Sequence, residues 1–119
     1  MTVRRIVANL AAADPAAVAG FYARLLGLET VMDMGWIVTL AADTRAAPQL
    51  GLMREGGSGT PVPDLSIEVD DVDAILDRAR SLGVEVTYGP ADEPWGVRRF
   101  FVRDPTGRIV NVLQHLHQA

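Results

Sequence analysis

One spacing occurs twice in this chain, and it limits the folds available. Asp14 precedes an amphipathic run that ends at Leu26-Gly27, and Asp70 precedes another that ends at Leu82-Gly83, over the same interval. In the first run Asp14 can cap a helix and Pro15 sits where a missing N–H costs nothing. Val18, Phe21, Tyr22, Leu25 and Leu26 then recur at helical spacing. In the second, Asp70 or Asp71 supplies the cap, and Val72, Ile75, Leu76 and Ala79 the apolar face. A glycine closes each helix. Strand-like runs accompany both: Ile6 to Leu10, Leu28 to Met32, Trp36 to Leu40 and Gln49 to Met53, then Leu65 to Val69, Val84 to Tyr88, Val97 to Arg103 and Arg108 to Leu113. Each half reads β-α-β-β-β, and a repeat of about 56 residues predicts an α+β chain made of two copies of one unit. Their sheets must pack together or curl around something.

The chain of 119 residues is read as one domain, with units at about 1–55 and 64–115 and a Gly/Pro-rich linker at 56–63. Ser58 falls in that linker. With no cysteine there is no disulfide, thiolate nucleophile or zinc-thiolate site. A formal charge of −4, from 11 basic and 15 acidic residues without a basic cluster, argues against a nucleic-acid partner. No run approaches the roughly 18 apolar residues of a membrane span, and no secretory signal is visible, so the expected location is cytoplasmic. The Ala- and Arg-rich, lysine-free composition fits a high-GC bacterial gene.

Three segments carry a resemblance that covers nearly the whole chain: Phe21-Tyr22-Ala-Arg-Leu-Leu-Gly-Leu-Glu29, Ile67-Glu-Val-Asp-Asp-Val72 and Phe101-Val-Arg-Asp-Pro-Thr-Gly-Arg-Ile-Val-Asn-Val112. With them the chain resembles the vicinal oxygen chelate superfamily, which includes glyoxalase I, extradiol dioxygenases, fosfomycin-resistance enzymes and bleomycin-resistance proteins. The resemblance implies curved mixed sheets around a cleft, and a homodimer. It fixes no reaction, since one fold hosts many functions.

Enzymes of that superfamily hold a divalent metal on His and Glu side chains of the sheet floor. The matching positions here are Val7 in the first strand, Gln49 or Gly51 in the fourth, Asp64 at the start of the second half and Asn111 in the last strand. Asn9 lies on the strand face of Val7. Valine donates nothing and amides are feeble ligands for zinc, nickel or iron, so no cofactor is expected. His115 and His117 match no ligand position and read as tail residues.

The alternative within the superfamily is the antibiotic-binding type, which lacks the metal ligands and stacks planar rings on aromatics. Pro94-Trp95-Gly96-Val97-Arg98-Arg99-Phe100 is similar to its Trp-Gly-x-Arg-Glu-Phe segment, with Arg99 in place of the glutamate. Tryptophan offers a flat face suited to a heteroaromatic or cationic ligand. The expected ligand-binding set is therefore Trp95, Trp36, Tyr88, Phe101, Gln49, Asp64 and Asn111, with Met32, Met34 and Met53 as adaptable packing. Arg98, Arg99 and Arg103 read as a solvated face paired with nearby acids, and Asp104-Pro105-Thr106-Gly107 as a turn. The leading expectation is a metal-independent small-molecule binder that works by sequestration. Two others stand beside it: a divalent-metal lyase, isomerase or dioxygenase with a divergent site, and an accessory subunit with a closed cleft.

Overall fold

The computed structural model describes residues 2–43 and 49–116, without the side chains of Phe21 and Leu26, so His117 lies outside the described residues. It divides into two compact units, one of Val7–Val62, the other of residues up to Ile6 together with those from Pro63 onward. The elements are β1 (Val3–Ala11), α1 (Pro15–Leu26), β2 (Glu29–Asp33), β3 (Ile37–Ala41), β4 (Gln49–Met53), β5 (Leu65–Val69), α2 (Val72–Ser81), β6 (Val86–Glu93), β7 (Val97–Arg103) and β8 (Ile109–His115). The class is α+β, and each half is β-α-β-β-β as the repeat predicts. Among the described residues no helix is long and apolar enough to cross a membrane.

In the first unit the strands run β2-β3-β4-β1, with β1 parallel to β4 and the other pairs antiparallel. The second repeats this as β6-β7-β8-β5, with β5 parallel to β8. Both helices begin on an aspartate side chain: Asp14 accepts the Ala17 N–H at 3.3 Å, and Asp71 accepts that of Ala74 at 3.1 Å. The α2 start has a second tie, since Gln114 of β8 accepts the Val72 N–H at 2.9 Å.

Helix packing separates the two faces of each sheet. Val38, Leu40 and Leu52 form a core with Ala19 of α1, and Val69, Phe100 and Val112 form one with Val72, Leu76 and Ala79 of α2. Residues of the opposite parity lie on the other face. There Asn9 pairs with Gly51 across β1–β4, and Ser66 with Asn111 across β5–β8. Asn9 and Ser66 stand at the same place relative to the capping aspartates Asp14 and Asp71, so their pairing partners equate Gly51, not Gln49, with Asn111.

Two expectations change. The glycine-rich run at 56–63 is no slack linker: Gly56, Gly57, Thr60 and Pro63 are buried. Thr60 Oγ1 donates to Gly57 O at 2.8 Å and Glu55 accepts the Gly59 N–H at 2.9 Å. Strand β6 does not stop at Tyr88. It crosses Gly89-Pro90 through a register shift and resumes pairing at Ala91. Gly89 has φ +83°, and a side chain there would lie 2.6 Å from Arg99 O. A bulge on the last strand of a sheet tolerates Pro, which lacks the ladder donor.

The turn between β7 and β8 is an aspartate clasp. Asp104 Oδ1 accepts from the Thr106 hydroxyl at 2.6 Å, the Thr106 N–H at 2.8 Å and the Arg108 N–H at 3.0 Å. The Thr106 hydroxyl, followed by the Arg108 N–H, holds this carboxyl below its ordinary value of 3.8. A carboxyl lowered on folding adds stability above its unfolded value, and that stability fades as pH falls through the folded one. Asp104→Ala should therefore lower Tm by a constant amount above about pH 5. The gap should shrink progressively as scans move below the ordinary value of 3.8. A gap independent of pH would contradict the clasp.

Candidate functional site: an aromatic cage around a buried ion pair

Strand pairing places four residues of the second unit in one row across the face away from α2: Ser66, Asn111, Phe101 and Tyr88, on β5, β8, β7 and β6. The next row on that face is Glu68, Leu113, Arg99 and Ala91, and a third carries His115, Val97 and Glu93. Period-two alternation does this without further instruction, because residues two apart on a strand share a face.

Arg99 and Glu93 form an ion pair at 2.6 Å, with side chains only 3% and 5% exposed. Glu93 Oε2 accepts from both Arg99 Nε and the Tyr88 hydroxyl, the latter at 2.9 Å. The guanidinium carbon also stands over three rings: Phe101 at 4.8 Å, Trp95 at 4.9 Å and Tyr88 at 5.3 Å from the centroids. These rings come from separate places. Tyr88 precedes the β6 bulge, Trp95 lies in the turn from β6 to β7, and Phe101 is on β7. Each contact attracts a cation through the ring quadrupole, by about 0.5–2 kcal/mol according to desolvation.

Beside the cage, the Asn111 amide donates to Ser66 Oγ at 3.1 Å. Its Oδ1 is buried and has no hydrogen-bond partner among the described residues. An unmet buried acceptor costs about 1–3 kcal/mol, so such a group asks for an explanation.

Farther along the face, Glu68 lies between Arg5 at 2.8 Å and His115 Nδ1 at 2.9 Å. A cavity of about 300 Å³ opens there, lined by Arg4, Glu68, Asp70, Gln114, His115 and Leu116. His115 is thus the last residue of β8 with a carboxylate partner, rather than a loose tail.

The expected ligand residues separate as follows. Tyr88, Trp95, Phe101 and Asn111 share this face of the second unit. Phe101 is 1% exposed and Tyr88 and Trp95 are half-buried, so Phe101 serves the interior of the cage. Asp64 does not join them. It is exposed ahead of β5, its N–H donates to Ile109 O at 2.8 Å and its Oδ2 accepts the Ile109 N–H at 3.3 Å. Ser66, not Asp64, stands opposite Asn111. Trp36 and Gln49 are half-buried residues of the first unit, Trp36 just before β3 and Gln49 opening β4. Arg98 and Arg103 are paired with acids as expected, but Arg99 is interior, a correction forced by Glu93 coming across from the extended β6. Glu93 and Ser66 escape the sequence reading.

The positions matched to the superfamily's metal ligands are Val7 and Gly51 in the first unit and Asp64 and Asn111 in the second. Valine and glycine donate no side-chain atom, Asn111 offers only an amide, and the one carboxylate, Asp64, is exposed with its Oδ2 accepting the Ile109 N–H. This donor set does not fit zinc, nickel or iron. Among the described residues no three His, Asp or Glu side chains are grouped so as to hold a metal ion.

The model of the Glyoxalase/Bleomycin resistance protein/Dioxygenase superfamily matches residues 4–112, and the chain belongs to that superfamily. No match is found among curated proteins. Similar solved structures include a methylmalonyl-CoA epimerase from Streptomyces coelicolor, at 23% identity and TM-score 0.73 over 98% of this chain and 100% of that one. A protein from Legionella pneumophila described as an NAD-dependent benzaldehyde dehydrogenase matches at 18% identity and TM-score 0.76, over 93% and 99%. A superfamily member from Vibrio splendidus matches at 19% and 0.65, over 97% and 100%. At these identities the likeness is one of fold.

Two neighbouring acid–arginine pairs give a test of burial. Asp92–Arg98, at 3.0 Å, is 63% and 30% exposed, whereas Glu93–Arg99 is interior. In urea unfolding, Glu93→Gln should cost about 3–5 kcal/mol, because it leaves a buried cation uncompensated. Asp92→Asn should cost about 1 kcal/mol or less. Equal losses would mean that the Glu93 pair is solvated.

Proposed function

We propose that the protein binds a planar small molecule without a metal and acts by holding it rather than converting it. The observation that carries this reading is the Asn111 side-chain carbonyl, buried and without a partner among the described residues, beside the aromatic row of Phe101 and Tyr88. A ligand with an N–H or O–H donor would meet that acceptor while its ring lay against the half-buried Trp95 and Tyr88. Apolar contact with a few convergent polar groups is the usual chemistry of a small-molecule site. The donor set at the superfamily's metal positions favours this over a metal-dependent lyase, isomerase or dioxygenase. The working assembly is a homodimer, a reading supported by β2, the last strand of the first unit's sheet, whose five residues are all exposed. An unpaired edge with exposed Val31 and Met32 is a surface that proteins normally cover.

Tryptophan fluorescence of chelator-treated protein, titrated with uncharged planar heteroaromatics that carry a donor, tests the reading. Saturable quenching should appear without metal and stay unchanged on adding Ni²⁺, Zn²⁺, Mn²⁺ or Fe²⁺. Asn111→Leu should abolish it while changing Tm little, since losing the bond to Ser66 Oγ is offset by removing an unmet buried acceptor. A response that needs metal, or one untouched by Asn111→Leu, would refute the reading.

A further inference from the structure

A buried salt bridge explains why Arg99 and Glu93 touch. It does not explain three aromatic rings around one guanidinium. Tyr88, Trp95 and Phe101 reach Arg99 from three stretches of chain, and their centroids lie 4.8–5.3 Å from its central carbon. Glu93 adds a carboxylate at 2.6 Å, itself held by the Tyr88 hydroxyl. Several ring faces around one anionic acceptor is how proteins recognise guanidinium and quaternary ammonium ligands. In this chain the recognised cation is covalently attached.

We propose that Tyr88, Glu93, Trp95 and Phe101 form a cation-binding cage whose resident ligand is the chain's own Arg99, and that Arg99 is the residue that sets ligand charge. With the guanidinium in place, the carboxylate is neutralised and one face of each ring is occupied. A second cation entering the site would meet a like charge and no free anion. The site is thereby closed to cationic planar ligands and left to uncharged ones. This revises the sequence expectation of a planar or cationic ligand. The charge selection rests on the binding role proposed above, whereas the cage itself does not.

The cage is tested by chemical rescue. Arg99→Ala removes the atoms of ethylguanidinium, so that cation can be returned from solution, with ethylurea as its uncharged counterpart of the same shape. Thermal unfolding would be followed by circular dichroism with each additive at low millimolar concentration. Ethylguanidinium should raise the Tm of Arg99→Ala saturably by about 3 °C or more, since a ligand that binds only the native state stabilises it by mass action. Ethylurea should do far less, and the wild type should respond to neither. The rise should disappear in the double variant Arg99→Ala/Glu93→Gln and shrink in Arg99→Ala/Trp95→Ala. Equal rescue by ethylurea would reduce the cage to a space that any filler satisfies. No rescue by ethylguanidinium would overturn the proposal too, including the case in which Arg99→Ala is unfolded and the cation fails to restore its spectrum.

Wild-type protein tests the charge selection separately. 3-Aminoquinoline and 3-amino-1-methylquinolinium share a ring system and an N–H donor for Asn111, and differ in charge at neutral pH. Fluorescence titration should show 3-aminoquinoline binding at least about tenfold more tightly, a ratio that Arg99→Ala should reverse. Equal affinities would overturn the assignment of Arg99. Binding of neither ring, with rescue intact, would leave the cage standing and sink the ligand reading of the preceding subsection.

Discussion

A strand cannot choose its faces independently. In the second unit one parity of β5, β7 and β8 sends Ile67, Val69, Phe100 and Val112 against α2, and the other sends Ser66, Arg99, Phe101 and Asn111 the opposite way. A slip of one residue would exchange the sets, putting an arginine and an amide into the helix core and that core onto the other face. The whole arrangement of the site depends on this register. It is secured by contacts outside the ladders: Gln114 on the first N–H of α2, Asp64 on Ile109, and the Asp104 clasp at the β7–β8 turn.

That parity also decides which charges are buried. Asp92-Glu93 on β6 lies across from Arg98 and Val97 on β7, so one acid meets Arg98 on the helix side while the other reaches Arg99 on the opposite side. The outer pair needs no explanation. The inner pair does, because packed apolar side chains of similar volume often match or exceed the stability of a buried ion pair. Asn111, one row away, is a second group that stability alone would not select. Groups that a stability argument would remove tend to collect where a protein works. Here they sit in adjacent rows of a single face.

Much of this fold could be read from the chain because its signals are local. A capping aspartate, a helical apolar stripe and a closing glycine occur twice, and each strand run was bounded by turn residues. The Arg99 face was legible too, since alternation alone puts it with Phe101. Its burial was not. That follows from Glu93, and Glu93 reaches β7 only because β6 continues past Gly89-Pro90, a dipeptide that ordinarily signals a strand's end. Asp64 failed for a related reason: its aspartate side chain found backbone partners at Ile109, and the position opposite Asn111 fell to Ser66. Pairing across strands depends on residues far apart in sequence, and one chain carries no direct sign of it.

The two units show how far a shared fold leaves chemistry free. Thr39, Gly51 and Asn9 hold in the first unit the places that Phe101, Asn111 and Ser66 hold in the second. The amide has changed strands. In the first unit it comes from the parallel strand β1, and the Asn9 side chain lies so close to residue 51 that a Cβ there would collide with its Oδ1. Glycine at 51 is the accommodation of that amide. In the second unit the amide comes from β8, a serine faces it, and its carbonyl oxygen is left without a partner. The same backbone lattice thus fills the space in one copy and leaves an unmet acceptor beside aromatic rings in the other. The repeat accounts for the fold in both units, while the caged guanidinium and the unmet acceptor are, among the described residues, features of the second.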